Sequence, residues 1–203
     1  MNLKKQCLKY SNTPIQKINL LITEMNEKYN EKNRFYHNLK HIKKMLQILK
    51  KYRKQIKDFQ SLFWAALFHD VIYDPKRHDN ESESALYALL WLEKMGFSDE
   101  QKERVQTLIL STEKHIPSDS SFDSGIFLDA DLAVLSSCRW HYFFYARKIR
   151  KEYSFIPDAD YKEGRGKVLK SFLEKKEIYL TPEMKRYEKK ARRNILSEMK
   201  GVL

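Results

Sequence analysis

"QSLFWAALFHD", residues 60–70, decides how the chain folds. From Leu62 to Phe68 it is apolar on every side, without the polar alternation of a half-exposed strand. A helix that is apolar all round belongs inside a protein. The run is also far too short to span a bilayer. It therefore predicts a central helix with others packed around it. His69 and Asp70 close the run. A carboxylate there is costly unless it reaches the surface or meets a positive partner.

Outward from this point the signals stay helical. Upstream, "TPIQKINLLITEMNEKYN" opens on Thr13 as a candidate cap with Pro14 at the first helical position. Ile15, Ile18, Ile22, Met25 and Tyr29 follow as one stripe. "NLKHIKKMLQILKKYRKQI" places Ile42, Met45, Leu46, Leu49, Tyr52 and Ile56 at similar spacing. Downstream, "DPKRHDN" reads as a loop, and Asn80 with Glu83 resembles a capping box for a helix ending at Gly96. Ser98 with Gln101 repeats that signal for a helix to about His115. "IPSDSSFDSG" reads as a polar loop and "IFLDADLAVLSS" as a short helix. Three more helical stretches follow: "RWHYFFYARKIRKEY", "YKEGRGKVLKSFLEKK", and "TPEMKRYEKKARRNILSEMK" closed by Gly201. No strand pattern, repeat or low-complexity linker interrupts them, which predicts one all-α domain over residues 1–203.

The 203 residues are 42% hydrophobic, enough for a core of their own, and carry 13% aromatics, which excludes a disordered chain. Cys7 and Cys138 form neither a disulfide framework nor a ligand-spaced set, and the N-terminus lacks the apolar stretch of a signal peptide. The expectation is a soluble cytoplasmic protein with no membrane partner. The net charge is +12, and ten Lys or Arg but no acid lie between residues 32 and 57. No basic-aromatic recognition motif accompanies them, so the expectation is a solvated helix face making weak, non-specific contact with nucleic acid. Attraction of a small phosphorylated molecule is equally compatible.

Imidazole nitrogens and carboxylate oxygens bind divalent transition metals. His69 and Asp70 are neighbours on a helix edge, and further donors sit in similar settings: His37 and His41 four apart, Asp129 and Asp131 inside an apolar helix, and His115 after "LSTEK". This ordered set, with "RFYHNLKHI", "ALFHDVIYDP", "NESESA", "FLDADLAVL", "IRKEY", "YKEGRGKVLKSFL" and "ARRNILSEM", resembles the HD superfamily of metal-dependent phosphohydrolases, in particular its small single-domain branch. The likeness runs from about residue 13 almost to the end. It implies a helical bundle of the HD-domain type, with core motifs at about 34–135 and C-terminal helices at about 139–200.

The resemblance implies a divalent ion held by His41, His69, Asp70 and Asp131. Asp131 is preferred to Asp129 because it lies in an "ADLA"-like run. Donors of this kind suit Mn, Fe, Co, Ni or Zn, and Mg less well. His37 and His115 are candidates for phosphate contact or for a second ion. Arg34, Lys40 and Arg165 are candidates for substrate binding, Arg165 competing with a purely structural salt bridge. Asp74 and Glu81 are candidates for the general acid, although Asp74 before Pro75 is also turn chemistry and Glu81 also suits a helix N-terminus. The implied activity is hydrolysis of a small phosphorylated substrate, a nucleotide by superfamily analogy. Two alternatives stay open: a nucleotide-sensing module that keeps the metal without turnover, and a basic nucleic-acid-binding helical protein.

Overall fold

The structure is a computed structural model describing residues 2–201. Among the described residues every regular element is helical. The central element is α4 (Phe59–Phe68), preceded by α1 (Leu3–Lys9), α2 (Ile15–Tyr29) and α3 (Leu39–Lys51). All of α4 except Gln60 is buried, as the uninterrupted apolar run requires. It is covered by α3 on one side and by α5 (Asn80–Lys94), α6 (Asp99–Ser111) and α7 (Phe122–Asp131) on the others. A 3-10 turn (Leu132–Ser136) then leads into α8 (Arg139–Glu152) and α9 (Asp158–Glu174). The short α10 (Pro182–Lys185) and α11 (Glu188–Met199) follow, and α11 packs on the 3-10 turn, α8 and α9. One hydrophobic core runs from Cys7 to Ile195.

The polar groups that enter this core fix where the helices meet. Trp64 donates its indole N–H to the Tyr10 carbonyl (2.8 Å), and the Tyr29 hydroxyl donates to the Leu67 carbonyl (2.9 Å). Asp123 accepts from the amides of Lys57 (3.0 Å) and Asp58 (2.8 Å), tying the start of α4 to α7. Asp129 accepts from the amides of Leu180 (2.7 Å) and Thr181 (2.8 Å) and from the Thr181 hydroxyl (2.5 Å). The same crossing explains Gly125, where a Cβ would stand 3.1 Å from Thr181 Cγ2. Two acids of α7 thus anchor distant segments, which leaves Asp131 for another task.

Several expected boundaries move. The capping box at Ser98 and Gln101 forms with both arms. The one expected at Asn80 does not, because the Asn80 amide group is already engaged with the Asp74 backbone on both sides, at 2.9 Å each. The loop expected through Gly125 turns helical at Phe122, with Ser121 as the cap. Pro14 has extended geometry and caps α2 instead of opening it. The last expected helix is split, since Glu188 is drawn back to the amides of Ile178 and Tyr179 at 3.1 Å. Among the described residues no helix is long and apolar enough to cross a membrane.

Candidate metal centre

α4 stops at Phe68, so His69 and Asp70 project from the end of a buried helix. The turn that follows is held by Arg34: its guanidinium donates to the carbonyls of Asp70 (2.5 Å) and Val71 (2.9 Å) and pairs with Glu31 (3.0 Å). Expected as a phosphate clamp, Arg34 is instead buried and occupied within the fold, bracing the turn after α4.

The start of α3 brings His41 to this point, and the end of α7 brings Asp131. His41 Nε2 lies 3.2 Å from His69 Nε2, 3.0 Å from Asp131 Oδ1 and 3.6 Å from Asp70 Oδ2. His69 Nε2 lies 2.9 Å from Asp70 Oδ2 and 3.5 Å from Asp131 Oδ1. Each carboxylate therefore meets both imidazoles. Donors bound to one ion at metal–ligand distances of about 2.1 Å stand about 3 Å apart in octahedral and about 3.5 Å apart in tetrahedral arrangements. The observed spacings lie in that range. Asp70 Oδ2 is buried and accepts no well-formed hydrogen bond, although His69 Nε2 stands 2.9 Å away. A buried carboxylate oxygen short of donors suits a cation. His69 Nδ1 donates to the Ala66 carbonyl at 3.2 Å, which turns the lone pair of Nε2 toward the cluster. His41, His69 and Asp131 each bring one donor atom within 4.8 Å of the other two and could hold a metal ion, while Asp70 stands outside that set, against the two imidazoles.

The electrostatics agree with this arrangement. Burial opposes a charge on His69, but Asp70 and Asp131 outweigh it and hold its pKa well above the ordinary value. Burial would raise both carboxyls, but His69 beside Asp70, and the hydrogen bonds of His115 and His41 to Asp131, hold them well below the usual range. The cluster thus favours paired opposite charge, and a cation can take the place of the imidazole protons.

The remaining candidates divide. His115 Nε2 lies 3.0 Å from Asp131 Oδ2, the oxygen turned away from His41. Its φ of +50° is rare for a residue with a side chain, and its carbonyl accepts from Lys175 at 3.2 Å. His115 therefore orients Asp131. His37 donates through Nδ1 to Glu152 (2.7 Å) and stacks on Tyr73, with ring centres 4.2 Å apart. Burial lowers the His37 pKa, but the Glu152 hydrogen bond and neighbouring carboxylates raise it to a net upward shift. Glu81 is half-buried, and burial, then repulsion from Asp70, pushes its carboxyl upward. Asp74 is exposed and accepts from the Lys76 amide (3.0 Å), so it is turn chemistry and not an acid aimed at the cluster. Arg165 pairs with Glu198 (2.8 Å) and braces α9 against α11. Lys40 is exposed on the rim of a cleft that opens beside His41 and Asp131.

Reading the sequence alone missed Glu152. It is 2% exposed and accepts from the amides of Tyr36 (2.6 Å) and His37 (3.0 Å), from His37 Nδ1 and from the Tyr73 hydroxyl (3.2 Å). Its signal was faint: one acid in the basic run "ARKIRKEY". No family model matches the chain, and no curated protein or solved structure matches it.

Proposed function

We propose that this protein is a metal-dependent phosphohydrolase of the HD kind, acting on a small phosphorylated substrate. The observation that carries the reading is the convergence of His41 Nε2, His69 Nε2, Asp70 Oδ2 and Asp131 Oδ1, with Asp70 Oδ2 buried and otherwise unpaired. Mixed nitrogen and oxygen donors without thiolate suit Mn, Fe, Co, Ni or Zn. When bound, such an ion supplies positive charge to phosphoryl oxygens and makes water more acidic at that point.

The chain's own residues do the rest. His115 keeps Asp131 turned to the cluster, and Arg34 holds the Asp70 backbone. His37, whose ring centre lies 6.2 Å from that of His41, is the candidate for contact with a phosphate oxygen. In hydrolysis a water oxygen bonds to phosphorus, the ester P–O bond breaks, and the leaving oxygen needs a proton. Glu81 is the candidate for supplying that proton, since burial, and after it Asp70, raise its carboxyl pKa.

The test is steady-state turnover on mono-, di-, tri- and cyclic nucleotides and sugar phosphates, with each divalent metal. Asp70→Asn keeps the shape but loses the charge, and turnover should fall by orders of magnitude with the helical circular dichroism intact. Wild-type kcat in folded Asp70→Asn would sink the mechanism. Metal bound without turnover on any compound would favour a sensing module.

A further inference from the structure

A cleft of about 660 Å³ runs from His41 and Asp131 along α3 toward Lys51. Its floor and walls are apolar, made by Ile48, Ala133 and Val134 with Phe144 and Tyr145 of α8. Phe144 is 53% exposed there and adds apolar surface to the trough. Lysines stand around the rim: Lys40, Lys44 and Lys51 from α3, and Lys148 from α8. Positions 40, 44 and 51 recur at helical spacing on one face, and eleven residues of helix extend about 16 Å. Among the described residues none of the four lysines has an ion-pair partner. Among the described residues Asp131 is the only acid lining the cleft, and its charge faces the donor cluster. The basic run of residues 32–57 is thus not merely a solvated face, because part of it edges an apolar trough that opens onto the candidate centre.

We propose that this cleft is a second-anion subsite, and that the substrate is an organic phosphate with an aromatic or apolar body and at least one further anionic group. A nucleoside polyphosphate is the simplest such molecule. The assignment rests on the hydrolase reading for which end of the molecule reacts, but the binding it predicts does not depend on turnover. One phosphoryl group lies at His41 and Asp131, the flat body covers Val134 and Phe144, and the remaining charge meets Lys44, Lys51 and Lys148. A small sugar monophosphate would leave both the trough and the distal lysines unfilled. Lys44, Lys51 and Lys148 are therefore specificity-determining residues.

Titration calorimetry on the full-length protein tests this with ATP, AMP and tripolyphosphate as probes, with divalent metal and again with chelator. Joint replacement of Lys44, Lys51 and Lys148 by alanine should weaken ATP at least tenfold and AMP no more than threefold, in both conditions. Phe144→Ala should weaken ATP and AMP but leave tripolyphosphate unchanged. Lys189→Ala with Lys200→Ala, two exposed lysines on α11 and just beyond it, is the control for general charge. An equal loss in that control, or wild-type ATP affinity in the triple variant, overturns the subsite. Tripolyphosphate binding as tight as ATP overturns the apolar body. Lysine-dependent ATP binding by a protein that retains no metal and turns nothing over would leave the subsite standing and the hydrolase reading refuted.

Discussion

Replacing Glu152 by alanine should be among the most damaging single changes outside the donor cluster. The carboxylate is buried and accepts four hydrogen bonds, from two backbone amides, an imidazole and a phenol. Its loss strands the Tyr36 and His37 amides, at about 1–3 kcal/mol for each buried group left unpaired. It also breaks a buried ion pair, for which about 3–5 kcal/mol is typical once water enters part of the gap. The two figures overlap, because the water that enters the gap also reaches the amides, so about 4 kcal/mol is expected, and for a domain of this size that lowers Tm by about 10 °C. Glu152→Gln keeps an acceptor and should cost about 1–2 kcal/mol. The pH dependence has a definite sign. His37 has a raised pKa, so its share is complete below its unfolded value of about 6.5 and is lost as pH rises through the folded value. Glu152 has a lowered pKa, held down against burial by His37, so its share is complete above its unfolded value of about 4.3 and is lost as pH falls. The gap between wild type and Glu152→Ala should thus be widest between about pH 4.5 and 6.5 and narrow on either side. Urea denaturation at pH 5.5, 7 and 9 measures it. A loss below about 1 kcal/mol at pH 5.5, or a gap that widens steadily to pH 9, would refute the reasoning.

Three further outcomes follow from the same geometry. Arg34→Ala should destabilise the fold by about 2–4 kcal/mol and lower kcat, because it frees the turn that carries Asp70; a rise in KM alone, with Tm unchanged, would restore Arg34 as a substrate ligand. His115→Ala should weaken metal binding about 10- to 100-fold, seen in competition with a metallochromic chelator, while an unchanged affinity would remove its hold on Asp131. Asp129→Ala should cost about 3 kcal/mol by freeing the Leu180–Thr181 segment, yet leave metal content at the wild-type level, and loss of the metal would reassign Asp129 to the cluster.

The helical architecture was legible because the central run from Leu62 to Phe68 has no polar side, and the stripes of α2 and α3 repeat at helical spacing. His41, His69, Asp70 and Asp131 were legible as residue types that are expensive in apolar surroundings, and the structure brings their side chains together. What the sequence hid were the partners. Arg34 and Arg165 have the chemistry of phosphate ligands, and only tertiary contact shows that Arg34 holds the turn after α4 and Arg165 pairs with Glu198. Glu152 stands 115 residues from His37 along the chain, and no local pattern links them. The failed capping box at Asn80 has the same origin: its amide group was claimed by Asp74, a competition that propensity does not register. The short α1, carrying the buried Cys7, lacked the length for a periodic signal.

The central claim is that four side chains from α3, the end of α4 and α7 hold one divalent ion. Elemental analysis of the full-length chain tests it most directly, after purification without chelator and again after reloading with Mn, Fe, Co, Ni or Zn. Wild type should retain about one ion per chain, and Asp70→Asn and His41→Ala should each lose most of it while keeping the helical circular dichroism signal. Equal content in wild type and both variants, whether near zero or near one, would contradict the account.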